Sequence, residues 1–166
     1  MKFLERKNVM LLSMLTTVIM FVIVMFIVNP MIDGANGLNV IALQLAFDKE
    51  IGIDIVSNWD REAFKQWIWT DYLYALSYML FFASLLSWLM KSKGMEKNSW
   101  YHMMITITLL AGLFDWIENS LELWFLYDID AFSSSIFFVH SSISMLKWLA
   151  LPVIVMSIIL LFKKDS

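Results

Sequence analysis

Leu113-Phe114-Asp115-Trp116-Ile117-Glu118-Asn119-Ser120-Leu121-Glu122 lies inside an apolar run that extends from about His102 to Tyr127. Such a run is long enough to cross a hydrocarbon core near 30 Å thick, which takes about 20 residues. Asp115, Glu118, Asn119 and Glu122 fall at i, i+3, i+4 and i+7, so a helix carries all four on one face. A membrane helix with one acidic stripe must turn that stripe toward protein or water, so further helices have to surround it.

The sequence supplies them. Three more apolar runs reach spanning length: residues 9–28, 71–90 and 136–162. The chain has 166 residues, of which 60% are hydrophobic and 16% charged, with a mean hydropathy of +0.71. That apolar excess is too large for one water-facing domain of this length. Net charge −3 gives no phosphate-attracting balance, so nucleic acid is excluded as a partner and membrane lipids are expected. The chain has no cysteine, which removes disulfides, thiolate metal sites and cysteine nucleophiles. The expected fold is all-α: a single transmembrane domain over residues 1–166, built as a four-transmembrane-helix bundle.

Basic residues orient it. Lys2, Arg6 and Lys7 precede the first span, Lys91, Lys93 and Lys97 fill the second connection, and Lys163 and Lys164 follow the last span. The first connection, about residues 30–66, is instead acidic. By the positive-inside rule both termini are cytoplasmic and that long loop is outside. The first run exceeds a signal-peptide core and no A-x-A-like site follows it, so it reads as a retained helix ending near Pro30. In the outer loop, Gly34-Ala35-Asn36-Gly37 signals a turn, and Leu38, Ile41, Ala42, Leu45 and Ala46 then recur at helical spacing. Ser57 and Asn58 are good caps for a second segment. These predict interfacial amphipathic helices on the outer side, acting as a cap over the bundle or as a surface anchor. Trp59, Trp67 and Trp69 suit an outer aromatic belt, and Trp88, Trp100 and Tyr101 an inner one.

Two other spans carry polar stripes as well. His140, Ser144 and Lys147 share a face of the fourth, and Asp71, Tyr74 and Tyr78 a face of the second. Counting about 1.5 Å per residue from the cytoplasmic ends puts Lys147, Asp115 and Tyr78 about 20–24 Å deep, at one level. Glu118 and Asn119 lie a turn further out, and Glu122, Asp71 and His140 near the outer boundary. Asp115, Glu118 and Lys147 facing lipid would together cost about 8–10 kcal/mol, comparable to a whole domain's stability. Lys147 is therefore predicted to pair with Asp115 or Glu118. The expected site is an outward-facing acidic pocket lined by Asp71, Tyr74, Tyr78, Asp115, Glu118, Asn119, Glu122, His140 and Lys147. Its ligand would be lipid-like or cationic, with acid–base chemistry on it open to the same carboxylates. Any metal would fall to Asp115, Glu118 and Glu122, an all-oxygen set suited to a hard cation. The sequence leaves the cofactor unknown. Pro152, with Ala111-Gly112 opposite, is placed to shape the pocket. An ion or proton pathway, and an accessory or assembly subunit working as a homo-oligomer or with a membrane partner protein, are the alternatives.

Trp69-Thr70-Asp71-Tyr72-Leu73 with Tyr78, followed by Gly112-Leu113-Phe114-Asp115-Trp116-Ile117-Glu118-Asn119, resembles a family of small uncharacterised bacterial four-span membrane proteins. Its members carry an Asp at the start of one span and an Asp-x-x-Glu-Asn motif in the next. The likeness covers mainly residues 38–127; it implies a bacterial inner membrane and brings no activity with it. A looser likeness, in architecture alone, is to EXPERA-type proteins, whose compact bundles hold acidic intramembrane pockets for lipid-like molecules.

Overall fold

The computed structural model describes residues 3–33 and 38–163. It is all-helical, and four of its helices are long and apolar enough to cross a membrane. In chain order the described helices are α1 (Lys7–Val22) with a π-helical continuation (Ile23–Val28), α2 (Pro30–Asp33), α3 (Leu38–Gln44), α4 (Lys49–Val56), α5 (Arg61–Ser92), α6 (Ser99–Tyr127) and α7 (Ser134–Lys163), of which the first with its continuation, α5, α6 and α7 are the membrane-length ones. The turn expected at Gly34-Ala35-Asn36-Gly37 lies outside the described residues.

Local chemistry sets the boundaries. Pro30 has no N–H and its ring crowds the preceding turn, and ahead of it the helix widens: Asn29 N donates to Val24 O at 2.9 Å, five residues back. The first span therefore passes Pro30 and continues to Ile32. Asp48 caps α4 by accepting from Glu50 N and Ile51 N, and Asp60 caps α5 by accepting from Glu62 N and Ala63 N. The cap of α5 is thus Asp60 and not Ser57 or Asn58. Ser57 keeps helical backbone angles, and its hydroxyl donates back to Asp54 O at 2.7 Å. As a result the expected outer segment and the second span merge into one helix of 32 residues, about 48 Å long.

α5 is the central helix. It packs on α1, α6 and α7, and α6 packs on α7, whereas α1 reaches neither α6 nor α7. Two apolar cores form along the bundle. One, at the end where α5 and α7 begin, joins Val24, Val28, Phe64, Trp67, Ile68, Phe125, Phe132 and Phe137. The other, at the end that carries the termini, joins Ala83, Leu86, Met104, Ile105, Ala111, Ile154 and Leu161. Trp59, Trp67 and Tyr101 are buried in these cores instead of sitting in the predicted belts, while Trp69 and Trp100 are exposed.

α3 and α4 do cap one end, but α3 goes deeper than a surface helix. Leu43 and Gln44 are buried, Phe47 N donates to Ser141 Oγ at 3.1 Å, and Trp148 Nε1 donates to Gln44 Oε1 at 3.1 Å. The chain turns between α3 and α4 at Phe47, whose φ of 57° is a strained value for this residue type. The Ser141 bond and an edge contact with Phe138 hold it there.

Close approach of α5 and α6 depends on Gly112, because a Cβ there would stand 2.6 Å from Met79 Sδ and 2.9 Å from Met79 Cβ. Pro152 sits within an unbroken α7. Gly112→Ala is expected to cost about 1–3 kcal/mol through overpacking, measured by reversible SDS unfolding in mixed micelles. An unchanged midpoint would contradict this contact.

Candidate functional site

Between the two apolar cores lies a polar layer made by one stripe from each of α5, α6 and α7. Asp71, Asp115, Glu118, Asn119, Glu122, His140 and Lys147 are each no more than 6% exposed. Glu122, Asp71 and His140, which depth counting places near the outer boundary, are as buried as the rest.

Lys147 is the hub. Its Nζ lies 2.8 Å from Asp115 Oδ1 and 2.8 Å from Glu118 Oε2, so it meets both carboxylates and not one of the two. The Asp115 contact is an aligned hydrogen bond. The Glu118 contact is an ion pair without hydrogen-bond alignment, and Glu118 Oε1 has no hydrogen-bond partner among the described residues. Tyr78 OH donates to Asp115 Oδ2 at 2.8 Å, so Asp115 ties α5 to α6 and α7 at one point. A turn away, Asn119 Nδ2 donates to Asp71 Oδ2 at 3.0 Å. On the α6–α7 side, His140 Nε2 stands 3.4 Å from Glu122 Oε1. Among the described residues, Glu122 Oε2, His140 Nδ1 and Asn119 Oδ1 have no hydrogen-bond partner.

The polar layer divides into two faces. Asp71, Tyr74, Tyr78, Asp115 and Lys147 line a cavity of about 440 Å³ in the gap that separates α1 from α7. The rest of its wall is largely apolar and aromatic, with Phe21, Phe81, Phe82, Trp67 and Trp148 prominent. Val40, Ile41 and Gln44 of α3 form part of the wall. Glu118, Asn119, Glu122 and His140 lie behind that wall. The all-carboxylate metal set does not converge, because Asp115 faces the cavity, held by Lys147 and Tyr78. The donors that do cluster are Glu118, Glu122 and His140, one atom of each lying within 4.8 Å of the other two.

Gln44, Trp67 and Trp148 belong to this site and were not expected there. A signal for α3 existed: Leu38 to Phe47 carries no charge, and an uncharged run of about ten residues suits a buried or re-entrant helix better than a surface one. No family model, curated protein or solved structure matches the chain. The site has to be understood from its own chemistry.

Lys147→Met would leave Asp115 and Glu118 buried without their cation and should destabilise the fold by about 3–5 kcal/mol. Adding Glu118→Gln and Asp115→Asn to that variant should restore most of the loss, measured by SDS unfolding. A single variant as stable as the parent would show that the pair contributes nothing.

Proposed function

We propose that this chain is an integral membrane protein of the bacterial inner membrane, both termini cytoplasmic, whose α1–α7 cavity binds an amphiphile with a cationic headgroup. The basic flanks of the spans support that orientation, and it places the cavity in the outer half of the bundle. The observation that carries the ligand class is Asp71. It is a buried carboxylate on the cavity wall, and its one hydrogen-bond partner among the described residues is the neutral amide of Asn119. Lys147, the cavity's only cationic residue among the described ones, is already engaged by Asp115 and Glu118, so an anionic head would find no free cation there. An ammonium group would find Asp71 and, around it, the faces of Tyr74, Tyr78 and Trp67, the surroundings that favour cations. The gap between α1 and α7 gives the alkyl chain lateral access from the bilayer. Asp71 is also the group positioned to exchange a proton with a bound amine.

A continuous ion or proton pathway is disfavoured by the other half of the molecule. There the core is apolar, and the buried hydroxyls of Ser84, Ser87, Thr108 and Ser157 turn back to carbonyls of their own helices.

The test uses the purified protein in phosphatidylcholine nanodiscs, with dodecylamine and dodecanoate as probes. Dodecylamine should raise the melting temperature, as a ligand at 100 times its Kd adds about 2.7 kcal/mol. Dodecanoate should not. Asp71→Asn should weaken dodecylamine binding by roughly tenfold or more, the loss expected for a charge-assisted contact of about 1.5–3 kcal/mol. Equal binding of both probes, or full binding by Asp71→Asn, would overturn the reading.

A further inference from the structure

Behind the cavity, three donors from two helices remain unexplained by any packing role. Glu118 and Glu122 are successive turns of α6, and His140 meets them from α7. All three are at least 98% buried, and Glu118 Oε1, Glu122 Oε2 and His140 Nδ1 have no hydrogen-bond partner among the described residues. An orphaned buried carboxylate oxygen is costly, and two beside an imidazole call for a cation.

The spacing suits a metal better than it suits a hydrogen bond. The 3.4 Å between His140 Nε2 and Glu122 Oε1 exceeds the usual N–H···O range of about 2.7–3.2 Å. Ligands at about 2.0–2.2 Å from a tetrahedral zinc ion, by contrast, stand about 3.3–3.6 Å apart. Glu118 completes the group within 4.8 Å. Its Oε1 has no competing partner among the described residues and is available as the third donor. Charge points the same way. Asp71, Asp115, Glu118 and Glu122 are all buried, and Lys147 is the one buried lysine among the described residues. A divalent ion between Glu118 and Glu122 cancels most of that excess and leaves one carboxylate uncompensated.

We propose that Glu118, Glu122 and His140 form a binding site for a first-row divalent transition ion such as zinc. Mixed imidazole and carboxylate ligation selects that class over calcium or magnesium, which take all-oxygen sets. This site shares no residue with the lining of the amphiphile cavity, so the two proposals are tested separately.

The experiment titrates the full chain in detergent micelles, stripped with a chelator, with Co²⁺ and then Zn²⁺. The parent should take up about one Co²⁺ with visible ligand-field absorption that Zn²⁺ abolishes. Glu122→Gln should weaken uptake by at least about tenfold, since even outer-shell contacts to a metal are worth about 10–100-fold. His140→Cys should add a sulfur-to-cobalt charge-transfer band; the parent has no cysteine, so only the new ligand can produce it. Asp71→Asn keeps all three metal ligands and should still take up about one Co²⁺ per chain, whatever becomes of amine binding. A parent that takes up no stoichiometric Co²⁺ overturns the proposal, as does uptake unaffected by Glu122→Gln. A His140→Cys protein that holds cobalt without the sulfur band also overturns it.

Discussion

One buried lysine facing an excess of buried carboxylates is the constraint on which the rest of the molecule depends. A charge in hydrocarbon costs several kcal/mol, so Lys147 on α7 and Asp115 and Glu118 on α6 have to meet. They meet only at one rotation and one vertical register of the two helices. Tyr78 extends the constraint to α5 through its 2.8 Å bond to Asp115. The apolar stripes of these helices are interchangeable along their length; the polar layer is not. It therefore fixes the register that the two apolar cores then fill.

That layer also explains why the bundle is asymmetric. α5, α6 and α7 close on one another around the ion pairs, but α1 carries no buried charged residue and packs on α5 alone. Nothing polar draws α1 toward α7. The gap that remains is the cavity, and the short uncharged α3 goes into it and packs against α7. The Gln44–Trp148 bond and the strained turn at Phe47 are what hold α3 there, where an amphipathic surface helix would have floated free.

Much of this was legible in the sequence, for identifiable reasons. Helical periodicity placed Asp115, Glu118, Asn119 and Glu122 on one face, and depth counting brought Tyr78, Asp115 and Lys147 to one level. Both follow from fixed helix geometry, and the contacts among those residues obey it. Which residues face each other across helices is a different question, because it depends on rotations that spacing along one chain does not specify. Hence Asp115 was grouped with Glu118 and Glu122 as a metal set, whereas rotation of α6 turns Asp115 toward the cavity and leaves His140 in its place. The same blindness put Trp59 and Trp67 in a headgroup belt. An aromatic residue near the end of a span is enriched there by either role, and only tertiary packing, here in the cluster with Phe64, Ile68 and Phe125, buries it. The course of α3 departs from the amphipathic surface helix that its apolar spacing predicts, because its absence of charge is the stronger signal.

The two faces of the polar layer are electrostatically linked through Glu118, which contacts Lys147 on one side and reaches toward Glu122 and His140 on the other. A cation held by Glu118 and Glu122 would reduce the pull of Glu118 on Lys147 and leave the lysine more fully to Asp115. Asp71, which accepts its hydrogen bond from a neutral amide, would then be the remaining uncompensated carboxylate, and it is the one that faces the cavity. Occupancy behind the wall would thus set the charge seen by a molecule in front of it. Coupling of this kind needs no conformational change, only the low dielectric that makes every buried charge sensitive to its neighbours.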